Sequence, residues 1–420
     1  MNFKFLTRQT LIILPVLLIG IFLRTWHLTD VPLGFSENEA SIGYNAYSIL
    51  KTGKDETGKL LPLTFESFGD YKSGLPIYLT TIFIKVIGLS ELAVRLPAVI
   101  VGVISIILIY LVAWKLFENK ISAFLTALLL SISPWGVQIS RFDVSASLAL
   151  LLILLMLFVM LSKIKFKMPI LLLITLISLF TNVTCLFFIV PTFFYSLLKN
   201  GYKKKKVLLV LSIILIGFSV FLTKQSLQYF YIKNSFVEDI GFRNKINELR
   251  GFNSKLNLNF LGLILQNKFI LFGDQVFKNY ISGFDFYYLF SKNDFHEKYL
   301  VYDFGIFYSL ELIFFVLGIF FCIKHRSENS NLLIFLLLLS PLPGVLSKRP
   351  DFENTLFFLI IPFYLLAAKG LELMLKIFLK LNVLLTFVLA TLFFFTGFNF
   401  FSFLFLPLPD RSSKKLELWL

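Results

Sequence analysis

Apolar residues dominate this chain in long, nearly unbroken runs, and polar residues collect between them. Runs of about 17–25 apolar residues are long enough to cross a bilayer. About eleven such segments can be marked out, each helical by length. They lie at Thr10–Trp26, Arg95–Phe117, Ile121–Val137, Ser145–Leu161, two within Met168–Leu198, Val207–Thr223, Phe304–Ile323, Asn331–Leu346, Phe352–Ala368 and Val383–Leu406. The pattern predicts an all-α polytopic membrane protein with residues 1–420 as one domain. Two polar stretches stand out: a first loop at 28–94 and a longer one at 224–303. Gly74–Leu89 is apolar but short and carries Lys85, so it is expected to lie along the membrane surface.

Lysine and arginine orient the segments. The basic clusters at 163–167, 203–206, 324–326 and 369–380 fall on one side only if Gly74–Leu89 does not cross. Both polar stretches then face outward. The net charge of +15 is explained by these short basic loops, which removes a nucleic-acid reading. Charged residues make up 15% of the chain, against roughly 25% in soluble domains. Cys185 and Cys322 sit in apolar runs and suggest neither a disulfide framework nor a metal site. The basic start followed by a short apolar core resembles a signal peptide, but no small-residue cleavage site follows, so a retained first helix is expected.

Candidate chemistry concentrates in the first loop. Ser36-Glu37-Asn38-Glu39 opens an expected short helix, Glu37–Lys51, with Gly53 after its end. Ser36 and Glu39 have the spacing of a capping box, which would occupy Glu39 structurally. The same helix N-terminus attracts phosphate, and a carboxylate there could take a proton from an acceptor. Asp70 and Lys72 precede the surface helix. They could hold phosphate and a divalent cation, or form an exposed ion pair worth roughly 0–1 kcal/mol. Arg141 and Asp143 follow Ser133-Pro134-Trp135 at the end of the third segment, and Lys348-Arg349 follow the ninth. Each could serve a site or simply mark the interface. Glu311 lies within an apolar run, where carboxylates are costly and often functional. His296 lies in the second polar stretch. Asn182-Val183-Thr184 matches a glycosylation sequon, a pattern frequent by chance. No phosphate-binding loop of a nucleotide-driven pump occurs.

The run Asn38-Glu39-Ala40, Gly43-Tyr44-Asn45-Ala46-Tyr47, Gly53-Lys54-Asp55-Glu56 and Leu61-Pro62-Leu63, then Phe68-Gly69-Asp70-Tyr71-Lys72 and Val94-Arg95-Leu96-Pro97, resembles the membrane-bound GT-C glycosyltransferases. These include bacterial relatives of the protein mannosyltransferases and aminoarabinose transferases. Ser133-Pro134-Trp135 and Ser140-Arg141 fit too. The resemblance is dense over residues 30–145. It implies a GT-C fold with juxtamembrane helices on the outer face of a bacterial inner membrane. It also implies an inverting transfer of sugar from a polyprenyl-phosphate donor to a lipid, glycan or protein hydroxyl. The family's acidic pair falls on Asn38-Glu39, so an amide stands where the general base is expected. Glu39 or Glu37 would take that role, or Asn38 would only orient the acceptor, or activity would be lost. Lys72, with Arg141 or Arg349, would bind donor phosphate. Asp70 would hold an optional divalent metal ion, and Asp143 matches the acid after the third segment. No C-terminal soluble domain is expected. Two rivals stay open: a transporter or flippase of a polar lipid, and an inactive protein that binds lipid-linked sugars.

Overall fold

The computed structural model describes residues 3–31, 34–67, 69–199, 205–228, 235–256, 268–291, 305–347 and 357–381. The chain opens with helix α1 (Phe3–Thr25), then α2 (Glu37–Thr52), which ends at Gly53 in the left-handed conformation glycine tolerates (φ 70°). A hairpin follows, β1 (Thr64–Ser67) and β2 (Asp70–Ser73), antiparallel with Ser67 opposite Asp70 and Phe65 opposite Lys72. Gly69, with φ 72°, lies between the two strands in a conformation glycine tolerates. Then come α3 (Gly74–Ile87), α4 (Glu91–Phe117), α5 (Lys120–Ile132), α6 (Pro134–Phe142) and α7 (Val144–Leu161). After these come α8 (Lys167–Leu179), α9 (Leu186–Lys199), α10 (Lys205–Leu222) and the short α11 (Lys224–Gln228). The second polar stretch contains α12 (Ile240–Leu256), α13 (Lys268–Ser282) and α14 (Phe286–Phe290). The described chain ends with α15 (Glu311–Lys324), α16 (Glu328–Leu339) and α17 (Phe357–Leu381).

Among the described residues, α4, α7 and Phe357–Ile377 of α17 are long and apolar enough to cross a membrane. The pair α5 and α6 qualifies as a fourth, bent by 59° at its break. The expected third segment, Ile121–Val137, is therefore two helices. Pro134 lacks the N–H that would continue α5, and Ser133 instead caps α6, its Oγ accepting from Gly136 N–H at 3.0 Å. α8 and α9 meet at a 3₁₀ turn, Val183–Cys185. Asn182 caps that turn by accepting from Thr184 N–H at 3.0 Å and Thr184 Oγ1 at 2.6 Å, which occupies the side chain of the sequon. The expected last segment, Val383–Leu406, lies outside the described residues.

One apolar core joins α4, α5, α7, α8, α9, α15, α16 and α17. A smaller core sits under the first loop. In it Ile42, Ala46 and Ile49 of α2 pack on Phe65, on Ile77 and Ile84 of α3, and on Ala93 and Val94 of α4. α3 keeps that face inward and leaves Ile82, Val86 and Ile87 exposed, the split of a helix with one apolar face outside the protein. Both small core and hairpin hold the first loop against the start of α4.

Candidate active site

The first loop closes on α4 through one fully buried ion pair. Arg95 Nε donates to Glu39 Oε1 at 2.7 Å, and neither side chain is more than 1% exposed. The other carboxylate oxygen, Oε2, accepts from Ser36 N–H at 2.9 Å, while Ser36 Oγ accepts from Glu39 N–H at 3.2 Å. The capping box is formed, and both oxygens of Glu39 are taken. Arg95 reaches further along the loop. Its Nη1 donates to Leu28 O at 2.8 Å and Nη2 to Gly34 O at 2.6 Å, with the guanidinium 5.8 Å over the Phe35 ring.

Arg141 does similar work one layer away. It is 2% exposed and donates from Nη1 to Leu23 O at 2.9 Å and from Nη2 to His27 O at 3.0 Å and Val31 O at 2.8 Å. Arg24 donates from Nη1 to Ser131 O at 3.0 Å and from Nη2 to Gly136 O at 3.3 Å, across the α5–α6 break. These guanidiniums satisfy carbonyls that helix ends and the loop leave open. Arg141, expected to bind phosphate, is thus committed to backbone in this structure.

A second cluster faces the loop side of this clamp. Asp70 and Lys72 alternate along β2, so both point to the same face of the hairpin. Lys72 Nζ donates to Asp70 Oδ2 at 3.1 Å and to Asn38 Oδ1 at 2.5 Å. The Lys72 side chain is only 13% exposed and that of Asp70 33%, so this is not a loose surface pair. Asn38 stands in the first turn of α2. The ammonium therefore sits at the positive end of that helix.

Asp143 lies between α6 and α7, where its Oδ1 accepts from Ala146 N–H at 2.9 Å and caps α7. It is half-buried. Burial pushes its carboxyl pKa up from the ordinary value, opposed by the capping N–H groups and the Lys72 charge and reinforced by the charge of Glu39. Asp143 thus feels both Lys72 and Glu39. Glu37 is exposed at the first position of α2.

Glu311 is the first residue of α15, not part-way along a longer helix. It is fully buried, its Oε2 accepting from Tyr308 N–H at 3.2 Å. Arg349 and His296 lie outside the described residues. Among the described residues no three Asp, Glu, His or Cys side chains converge. Asp70, the carboxylate the resemblance offers to an optional metal ion, pairs with Lys72 at 3.1 Å.

The sequence assigns no role to Arg24, and it marks Arg95 only as part of the resemblance. The available signal was a charge inside an apolar run, which needs a partner. The partner of Arg95 is Glu39, 56 positions away, and nothing in the sequence marks the two as a pair.

The fold and this cluster can be compared with known proteins. The family described as dolichyl-phosphate-mannose-protein mannosyltransferase matches residues 72–223, less than half of the chain. That stretch holds Lys72, Arg95, Arg141 and Asp143. No curated protein matches the sequence. Among solved structures, the archaeal oligosaccharyltransferase AglB from Archaeoglobus fulgidus, in complex with an inhibitory peptide and a dolichol-phosphate, is 13% identical with a TM-score of 0.53. The match covers 89% of this chain and 51% of that one. The chain has the GT-C fold. The oligosaccharyltransferase of the same organism in complex with Zn and sulfate is 16% identical with a TM-score of 0.53, covering 93% of this chain and 52% of that chain. ArnT from Cupriavidus metallidurans bound to undecaprenyl phosphate is 12% identical with a TM-score of 0.48, covering 89% and 61%. The chain spans about half the length of the two archaeal structures. Its apolar helices make it a multi-pass membrane protein.

Proposed function

We propose that this protein transfers a sugar from a polyprenyl-phosphate donor to an acceptor hydroxyl, with inversion, at the outer face of a bacterial inner membrane. One observation carries the reading. Lys72 is held by Asn38 and Asp70 at the N-terminus of α2, within electrostatic reach of Asp143. A cation beside a helix N-terminus suits a phosphate, and a carboxylate of raised pKa is a stronger proton acceptor once ionised.

In this reading the acceptor oxygen attacks the anomeric carbon while its proton passes to the Asp143 carboxylate. The bond from that carbon to the phosphate oxygen breaks, and polyprenyl phosphate leaves with the electron pair. Lys72 and the N–H groups of α2 stabilise the charge that develops there. Asp70 holds the ammonium in place. Asn38, an amide, cannot take the proton and serves to orient Lys72 and the acceptor. The sequence offers Glu39, or less favourably Glu37, as the base. The contacts of Glu39 instead make it a positioning residue, and the base role passes to Asp143.

The test uses the purified full chain in lipid nanodiscs and a radiolabelled polyprenyl-phosphate sugar. Lys72→Met is expected to cut transfer about 100-fold, as loss of one transition-state cation does. Full activity in that variant would overturn the donor site. The pH dependence tests the base. Asp143 must be ionised to accept a proton and its pKa is raised, so transfer should fall as pH drops through a value above the ordinary ~3.9 of aspartate. Asp143→Asn should lose the transfer along with that limb. A variant that keeps both would return the role to Glu37.

A second reading is favoured by Asn38, which stands where the resemblance expects an acid: a protein that binds lipid-linked sugar without turning it over. Donor binding that depends on Lys72, with no transfer at any pH, would select it.

A further inference from the structure

We infer that Tyr308 and Glu311 are positioning residues for Asp143, acting through the break between α5 and α6. The inference rests on the role of Asp143 proposed above. It starts from Glu311, a buried carboxyl that the proposed chemistry does not use. Its Oε1 is buried and has no hydrogen-bond partner. A carboxyl in an apolar core is costly, and leucine would fill similar space without that cost. The use of Glu311 therefore lies with Oε2, which accepts from Tyr308 N–H at 3.2 Å. The Glu311 N–H in turn donates to Tyr308 O at 2.9 Å. The flanking residues are tied to α14: Phe307 N–H donates to Leu289 O at 3.0 Å, and Ser309 Oγ to Phe290 O at 2.7 Å. From this held segment the Tyr308 hydroxyl donates to Ile132 O at 2.9 Å.

Ile132 is the last residue of α5. Pro134 supplies no N–H and α6 turns away, so the last carbonyls of α5 lack helical partners. Lipid offers none either. Side chains from distant parts of the chain take them instead. Arg24, from α1, reaches Leu130 O at 3.3 Å and Ser131 O at 3.0 Å. Tyr308, from the α15 side, takes the next one. The break is thus clasped from two sides, and these donors hold its 59° bend.

α6 begins at this clasp and leads into Asp143, whose N–H donates to Ile139 O at 3.0 Å, so the acid moves with the helix. The far end is held as well, by Arg141 on the carbonyls of Leu23, His27 and Val31. With nine residues α6 is about 13 Å long, so a tilt of roughly 5° moves one end by about 1 Å relative to the other. A misplacement of about 1 Å at a reacting group can cost ~100-fold in rate. Tyr308 therefore sets the near end of the helix that aims the proposed base, and Glu311 sets Tyr308.

The experiment follows protonation of Asp143 itself, by infrared spectroscopy of the full chain in nanodiscs across a pH titration. The Asp143 carboxyl band is the one lost in Asp143→Asn. Its midpoint depends on where the acid stands relative to Lys72, Glu39 and the N–H groups that cap α7. Tyr308→Phe removes only a hydroxyl and is expected to move that midpoint by roughly half a pH unit or more. In the labelled-donor assay its kcat should fall ~10–100-fold with the donor KM within about twofold. Glu311→Gln keeps an oxygen for the Tyr308 N–H and should leave the midpoint in place, whereas Glu311→Leu should move it. Equal shifts in those two variants would overturn the part given to Glu311. An unmoved midpoint in folded Tyr308→Phe overturns the inference whatever transfer does. If that variant does not fold, Ser309→Ala decides in its place, because it loosens the same segment from Phe290 O and should move the midpoint likewise. A native chain without transfer, together with a midpoint that moves in Tyr308→Phe, would end the transferase reading and uphold the positioning of Asp143.

Discussion

Replacing Arg95 with methionine is expected to destabilise the protein by ~3–5 kcal/mol, the usual cost of stranding one partner of a buried ion pair. The stranded partner is Glu39, 1% exposed, with only the Ser36 N–H left to it. The loss does not stop at the pair. Leu28 O and Gly34 O lose their donors as well, so the segment leading into α2 is released. Lys at 95 keeps the charge but cannot span three directions at once, because an ammonium lacks the planar fork of a guanidinium. Arg95→Lys should therefore recover only part of the stability. Asn38 rides on α2 and meets Lys72, so transfer is expected to fall in both variants. Glu39→Gln separates positioning from proton transfer. Glutamine keeps one oxygen, which can accept from Arg95 or from Ser36 N–H but not from both, because its amide nitrogen only donates; stability should fall, and substantial activity is expected in the protein that still folds. A complete loss in Glu39→Gln, with unchanged thermal stability, would instead make Glu39 the base. Thermal unfolding in nanodiscs and the labelled-donor assay read both quantities.

The helices were legible where apolar runs were long and ended in charge. α4 begins at Glu91 where the run suggested Arg95, and α7 at Val144 where it suggested Ser145. The difference at α4 has a cause: Ser90 caps the helix by accepting from Ala93 N–H at 3.3 Å, and the four residues Glu91-Leu92-Ala93-Val94 before the run are recruited. α2 was legible from its cap alone, Ser36 at one end and Gly53 at the other. The hairpin was not. Its strands have four residues each and no sustained alternation, and only their pairing makes them strands. The start of α15 was also hidden, because Gly305 to Leu310 is as apolar as the helix that follows, and periodicity cannot find a boundary inside a uniform run.

The site was legible as a list and not as an arrangement. Asp70, Lys72, Asn38 and Asp143 could be named because polar residues beside a membrane are few. That Asp70 and Lys72 share a face follows from β2, which the sequence did not reveal. That Glu39 is occupied follows from Arg95, and the sequence offered both capping and catalysis as uses of its one carboxylate. Arg141 shows the same limit. A charge at a helix mouth reads alike whether it meets a ligand or, as here, the carbonyls of Leu23, His27 and Val31.

Placing valine at Gly370 should have an effect as large as the loss of Arg95, from the opposite side of the protein. α15 and α17 touch backbone to backbone. A Cβ on Gly370 would overlap the carbonyl oxygen of Phe314, and one on Gly318 would overlap that of Leu366. Small residues at such crossings let helices approach closely in membranes, where packing rather than the hydrophobic effect drives association. Gly370→Val must push the helices apart, since the clash is with backbone and no side chain can swing away. The separation would break the Phe307–Phe363 stack, with centroids 3.6 Å apart, and the Phe315–Phe363 stack at 4.7 Å. Overpacking a tight core costs ~1–3 kcal/mol and more where backbone must move. The upper end of that range or beyond is expected here, with Gly370→Ala milder. The change should also reach the site. Two residues on from Gly370, Glu372 accepts from Asn119 Nδ2 at 2.7 Å and from Ser122 Oγ, tying α17 to the start of α5. α5 runs to the break at Ser133, and α6 ends at Asp143. Displacing α17 therefore shifts the helix pair that carries Asp143. Transfer in surviving Gly370→Ala protein should fall with its thermal midpoint. A Gly370→Val protein with an unchanged midpoint would mean that the two helices do not meet at this crossing.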